Sequence, residues 1–213
     1  MLADDHTIVR EGYKALLGGH PDIEVVGEAD SGRRAVELAR ELSPVIVVMD
    51  IGMPMLNGME ATRQICEELP KTKVIVLSAY NDDDYLDRVI VSGAMGYLLK
   101  RSSANLLVNA IRSVSKGDFY LDDEIARRRG AGKKGKPKGI ILSPREEQVL
   151  QLIAEGVANK NIADELHLSI KTIEKHRQRL MNKLHIHNTA GLTRYALVKG
   201  VIEGRTQVNS SKD

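Results

Sequence analysis

Cys66 is the only cysteine in 213 residues. It excludes an intramolecular disulfide and any metal held by a cysteine cluster, and it fits a reducing cytoplasm. Tryptophan is absent, so intrinsic tryptophan fluorescence cannot follow this chain. No apolar run approaches the roughly 20 residues that a membrane-spanning helix requires. No basic-then-apolar leader opens the sequence. Neither a membrane partner nor a secretory route is expected. What is present is an ordinary water-facing composition, 42% hydrophobic and 28% charged, enough for a packed core.

The net charge of +2 hides an asymmetry. Residues 1–116 hold 13 Lys and Arg against 17 Asp and Glu, whereas residues 117–213 hold 18 against 12. An acidic half joined to a basic half suggests two domains with different partners, and nucleic acid is the usual partner of a basic excess. Residues 130–139 read GAGKKGKPKG, with no large apolar side chain, which predicts a mobile linker. Just before it, residues 120–129 (YLDDEIARRR) read as a short helix.

Ahead of the linker, apolar runs alternate with helical periodicity. Residues 23–26, 45–49, 74–77 and 97–99 read as buried strands. Between them Ala35, Leu38 and Leu42, then Ile65 and Leu69, recur at helical spacing. With the opening Leu2-Ala3 this predicts an α/β doubly wound, five-stranded parallel sheet covered on both faces. After the linker only helical patterns occur, over about 144–155, 160–166, 170–184 and 189–199, which predicts an all-α domain.

In a doubly wound sheet, ligands sit at the carboxyl ends of the strands. The polar residues there are Asp4 and Asp5, Asp50, Ser78 and Lys100. Taken singly, each aspartate reads as a helix cap or a surface charge. Together they form a set of three carboxylates, a hydroxyl and an amine at one sheet edge. Clustered carboxylates resist ionisation without compensation, and a hard divalent cation such as Mg²⁺ relieves that. Lys100 and Ser78 suit a phosphoryl group, and aspartate is a known covalent acceptor of phosphate. Met53-Pro54 and Asn57-Gly58 fit a turn followed by a helix start.

The segments LADDH, VVMDIGMPMLNG, VIVLSAY and GAMGYLLK closely resemble the receiver domain of two-component response regulators, a flavodoxin-like fold, over about residues 1–116. The resemblance implies that Asp50 is the phosphoacceptor, fed by a histidine kinase. It implies Mg²⁺ held by Asp4, Asp5 and Asp50 with the backbone carbonyl of Gly52, and Ser78, Tyr97 and Lys100 as a phosphate-sensing switch. Two features depart from the family. Arg101 stands where a proline usually follows the lysine. The first strand has at most three residues, about 10 Å, where about five or six are usual. A strand that short is expected to expose its neighbours' ladder groups and to loosen Asp4 and Asp5, either because the true start lies upstream or because the receiver is weakened.

In the basic half, Ser143-Pro144-Arg145-Glu146 is a compact helix start with a capping box. A three-residue turn, His167-Leu168-Ser169, joins two helices, the arrangement of a helix-turn-helix. At about 100° per residue, Leu180 and Leu184 fall within roughly 20° of Ile173, with Ile170 about 60° away, as a core stripe. Lys171, Lys175, Gln178 and Asn182 face the opposite way and can donate to base edges. Thr172, Arg179 and Lys183 flank them where phosphates would lie, and Glu174 takes the other flank. His176, His185 and His187 carry no metal-site spacing with cysteine.

The stretch LSPREEQVLQLIAEGVANKNIADELHLSIKTIEKHRQRLMNKLHIHNTAGLTRYALVKG resembles the LuxR-type DNA-binding domain of the NarL/FixJ branch of response regulators. That implies a four-helix domain that dimerises partly through its last helix and binds two half-sites of double-stranded DNA. The expected layout is a receiver over 1–116, a linker with a short helix over 117–138, a DNA-binding domain over 139–204 and a disordered tail over 205–213. The expected function is transcription control by phosphorylation of Asp50, in a homodimer, with RNA polymerase a further candidate partner. One alternative is a phosphorylation-independent regulator that keeps the receiver as a dimer module. An aspartyl-phosphate phosphatase is disfavoured, because Gly52 stands where the haloacid-dehalogenase type needs a second aspartate.

Overall fold

The computed structural model describes residues 1–79, 81, 83–130 and 142–202. Residues 131–138 of the expected linker and all of the expected tail lie outside the described residues. The first domain runs β1 (Leu2–Ala3), α1 (Thr7–Gly18), β2 (Glu28–Ala29), α2 (Gly32–Leu42), β3 (Ile46–Asp50), α3 (Gly58–Glu68), β4 (Lys73–Ser78), α4 (Asp83–Val91), β5 (Gly96–Leu99), α5 (Ala104–Lys116), β6 (Tyr120–Leu121) and α6 (Asp123–Gly130). The second runs α7 (Pro144–Ala154), α8 (Asn159–Glu165), α9 (Ile170–Leu184) and α10 (Thr189–Val198). No helix among the described residues is long and apolar enough to cross a membrane.

The strands pair in parallel in the order β2-β1-β3-β4-β5-β6, a doubly wound sheet. Successive side chains of a strand point to opposite faces, and both faces are dry. Val47 and Met49 of β3, with Val74 and Val76 of β4, join Ala35, Ala61, Ile65 and Leu86 in one core. Val48, Ile75 and Leu77 join Leu17, Leu107, Ile111 and Val114 in the other. The first core is covered by α2, α3 and α4, the second by α1 and α5.

The sheet corrects three expectations. It has six strands, because Tyr120-Leu121, expected as helix, pairs with Gly96-Tyr97 on the β5 edge. Residues 23–26 are not a strand. Ile23 and Val25 pack against the second core, but the ladder to β1 starts only at Glu28. The short β1 also holds better than expected, because it lies between β2 and β3. Leu2 N–H donates to Gly27, Asp4 N–H to Ala29, and Val48 N–H to Met1, at 2.9, 3.1 and 3.0 Å. Met1, Leu2, Ala3 and Asp4 are all buried.

Local chemistry sets the helix that follows β3. The Asn57 side chain caps α3 by accepting from Glu60 N–H at 2.9 Å. A Cβ at Gly58 would lie 1.8 Å from the Asp50 carbonyl oxygen, so only glycine lets α3 begin directly against the end of β3. Cys66 on α3 is half-buried, and burial pushes its thiol up to about 11 from 9.0. Each pKa unit is a tenfold change in thiolate, so alkylation by iodoacetamide near neutral pH is expected to be roughly 100-fold slower than in the denatured chain. Timed mass analysis of the alkylated protein measures this.

The second domain has its own core, built from Leu150, Leu152, Ile162, Ile173, Leu180, Leu192 and Ala196. Both elements of the expected capping box form at Ser143 and Glu146, and Ser169 caps α9 through Thr172 N–H at 3.1 Å. The two domains touch. Tyr85 Oη donates to the Gly200 carbonyl at 3.0 Å, Arg88 pairs with Glu147, and Arg33 pairs with Glu165. Burial raises the Glu147 carboxyl pKa, with Arg88 opposing.

Candidate functional site

The carboxyl ends of β1 and β3 meet at the sheet's switch between strand orders, and there the predicted site assembles. Asp50 is fully buried at 0% exposure. Lys100 Nζ lies 2.8 Å from Asp50 Oδ2 and 3.4 Å from Asp4 Oδ2. Lys100 is placed by its own backbone, whose N–H donates to the Ser78 carbonyl at 2.8 Å. Ser78 is buried at the end of β4, and Tyr97 is buried within β5. Gly52 N–H donates to Asp50 Oδ1 at 3.3 Å. Asp4, Asp5 and Asp50 offer ligand atoms that all lie within 4.8 Å of one another, together with His6.

This donor set suits a hard cation. It is dominated by carboxylate oxygen, and Asp4 Oδ2 is buried with no hydrogen bond among the described residues, only the 3.4 Å ion pair with Lys100. The single ammonium of Lys100 offsets only part of three carboxylate charges. His6 was not singled out in the sequence. Its Nδ1 sits 3.1 Å from Asp4 Oδ1 and 2.9 Å from Asp5 Oδ1. Its place in LADDH was visible, but adjacency to an acidic pair is a weak signal without the fold.

A second residue that sequence reasoning missed stands behind Lys100. Asp122, buried just after β6, accepts from Leu99 N–H at 3.3 Å and Glu124 N–H at 2.9 Å, and from the Ser102 hydroxyl. It thereby ties the segment that carries Lys100 to β6 and α6. Asp122→Ala leaves the buried Leu99 N–H and the half-buried Ser102 hydroxyl without this acceptor and is expected to destabilise the first domain by about 1–3 kcal/mol. Urea unfolding followed by far-UV circular dichroism reads that loss as a lower midpoint.

In the second domain, Lys171, Glu174, Lys175, Gln178, Arg179, Asn182 and Lys183 of α9 are exposed, and Thr172 is half-buried. Ile173, Leu180 and Leu184 are buried as the projection predicted, but Ile170 is 46% exposed and does not join the stripe. Gln178 Nε2 donates to Asn182 Oδ1 at 3.0 Å, which holds two amide side chains side by side. Thr172 Oγ1 bonds Ser169 Oγ at 2.8 Å. Lys183 is turned aside, with Nζ donating to Glu146 Oε2 at 2.8 Å. Arg177, not chosen from the sequence, points inward to Asn159 and Thr189. Contacts to the first domain come from α7, the end of α8 and the turn after α10, so the polar face of α9 stays open.

The likenesses to known proteins follow this division. Residues 1–112 match the response regulator receiver domain family, and residues 140–196 match the bacterial regulatory proteins of the luxR family. The chain is 44% identical over 201 residues to the transcriptional regulatory protein LiaR of Bacillus subtilis, covering 92% of this chain and 95% of that one. It is 37% identical over 213 residues to the oxygen regulatory protein NreC of Staphylococcus carnosus, covering 95% and 98%. Among solved structures, RcsB from Salmonella enterica serovar Typhimurium, bound to promoter P1flhDC in the presence of phosphomimetic BeF3−, matches with a TM-score of 0.65 at 30% identity, covering 91% of this chain and 95% of that chain. The chain therefore belongs to the two-component response regulators that join a receiver domain to a LuxR-type DNA-binding domain.

Proposed function

We propose that Asp50 accepts a phosphoryl group from a histidine kinase and that this modification controls DNA binding by α9. The observation that carries the reading is the pairing of buried Asp50 with Lys100 at 2.8 Å inside the acidic cluster. A carboxylate oxygen of Asp50 attacks phosphorus and forms an acyl phosphate. The P–N bond of the kinase phosphohistidine breaks, and its electron pair returns to the imidazole. Lys100 follows the negative charge from the carboxylate to a phosphoryl oxygen. Asp4, Asp5 and Asp50, with the Gly52 carbonyl, would hold Mg²⁺, which supplies charge neutralisation for the incoming phosphoryl group. Ser78 moves toward the phosphate and Tyr97 reorients with it, which biases a two-state arrangement of the surrounding elements.

On the DNA side, Lys171, Lys175, Gln178 and Asn182 read base edges, and Thr172 and Arg179 sit beside the phosphates, with Glu174 on the far flank. Lys183 joins them only after leaving Glu146. The receiver spans about residues 1–116 and the DNA-binding domain about 139–204, and the active species is a homodimer on two half-sites. The chain works as a cytoplasmic regulator rather than an enzyme. Gel retardation with acetyl phosphate and Mg²⁺ tests the reading, with tighter binding than without the donor as the expected result. Equal binding in both conditions would favour a regulator that does not use phosphorylation.

A further inference from the structure

The second domain reaches the loop that follows Asp50. Gln151 lies on α7, yet it is buried at 1% exposure against the first domain. Its Oε1 accepts from Asn57 N–H at 3.0 Å, and its Nε2 donates to the Met53 carbonyl at 3.1 Å. Nε2 also donates to Glu155 Oε1 at 2.8 Å, and the Glu155 carboxylate accepts from Met55 N–H at 3.2 Å. One carboxamide and one carboxylate thus take main-chain groups of Met53, Met55 and Asn57, all in the β3–α3 loop. Met55 has a φ of +66°, a left-handed conformation that a non-glycine residue keeps only when its surroundings hold it there. Gly52, near the start of the same loop, donates its N–H to Asp50 Oδ1.

We propose that Gln151 is a positioning residue for the phosphoryl site. Through the backbone of Met53 and Asn57 it pins the β3–α3 loop in the geometry of the unmodified carboxylate, so the docked second domain resists phosphorylation of Asp50. This rests on the reading of Asp50 as phosphoacceptor. A phosphoryl group brings three further oxygens to the place where Gly52 N–H and Lys100 now meet the carboxylate, and on this proposal the β3–α3 loop moves to admit them. When the loop shifts, the buried carboxamide loses its bonds to Asn57 N–H and the Met53 carbonyl and keeps only Glu155, and a buried amide oxygen left without a donor is costly. Coupling between the two events is reciprocal: what phosphorylation does to docking, docking does to phosphorylation. The open α9 face fits this, since control then acts at the phosphoryl loop and needs no cover over the DNA-reading helix.

Full-length Gln151→Ala and Gln151→Met test the proposal. The methionine variant keeps the size of the side chain but offers the Asn57 N–H no carbonyl acceptor and the Met53 carbonyl no donor, so it serves if the alanine variant folds poorly. Hydrogen–deuterium exchange should show faster exchange at Asn57 in the variants. Intact-mass analysis should show the initial rate of phosphorylation by acetyl phosphate and Mg²⁺ rising about 5-fold or more, the change in barrier that losing about one net hydrogen bond brings. Unchanged exchange overturns the clamp itself. Faster exchange with an unchanged or slower phosphorylation rate overturns the coupling. Faster exchange with no phosphorylation of either wild type or variant overturns the reading of Asp50, and the proposal falls with it.

Discussion

Replacing Asp50 with asparagine is expected to abolish the phosphodonor-dependent change in DNA affinity. Asparagine matches aspartate in size and fits a fully buried position, so the test removes chemistry more than packing. A carboxamide cannot form the acyl phosphate, and it no longer draws Lys100 into an ion pair such as the 2.8 Å contact with Asp50. Wild-type protein should bind its operator about 5- to 150-fold more tightly with acetyl phosphate and Mg²⁺ than without, the usual range of coupling between two sites. In Asp50→Asn that ratio should fall to one. Titration by gel retardation, with and without the donor, gives both ratios directly. A variant that still gains affinity with the donor would place the modification on another residue.

Alanine at Lys175 or Gln178 is expected to cost about 1–3 kcal/mol of specific DNA binding each, the range for a good base-edge pair. Both side chains are exposed on α9 opposite the buried Ile173, Leu180 and Leu184, so neither change opens a cavity. Gln178 has a further role, since it holds Asn182 at 3.0 Å. Its loss should therefore relax selectivity at two adjacent base positions. Arg179→Ala should act differently, weakening all sequences alike and lowering the salt slope by about 0.9 for one lost phosphate contact. Competition titrations with specific and mixed-sequence DNA at several salt concentrations separate the two patterns. Uniform weakening by Gln178→Ala would mean that α9 meets the backbone and not the bases.

The parts of the molecule legible in the sequence are those with strong local signals. The runs ending at Asp50 and Ser78 are apolar on both faces and became β3 and β4, and the helix after Ser169 became α9 with Ile173, Leu180 and Leu184 inward as expected and Ile170 exposed. What escaped depends on long-range partners. Ile23 and Val25 are apolar because they pack on a core, and burial alone does not show whether the backbone joins a ladder. Tyr120-Leu121 is too short to carry a strand pattern and becomes β6 only because the edge of β5 is free to pair with it. The carboxylate site was legible because the strand ends named it, whereas His6 and Asp122 owe their places to contacts across the fold. Gln151 is the plainest case. In QVLQLI it reads as one of two glutamines in an apolar stretch, and only the docked loop explains why it is buried.

Identification of the modified residue tests the account most directly. Wild-type protein is incubated with acetyl phosphate and Mg²⁺, the acyl phosphate is trapped by borohydride reduction, and the peptides are sequenced by mass spectrometry. The account predicts one reduced aspartate, at Asp50. An unmodified Asp50, or a label carried by any other residue, would contradict it.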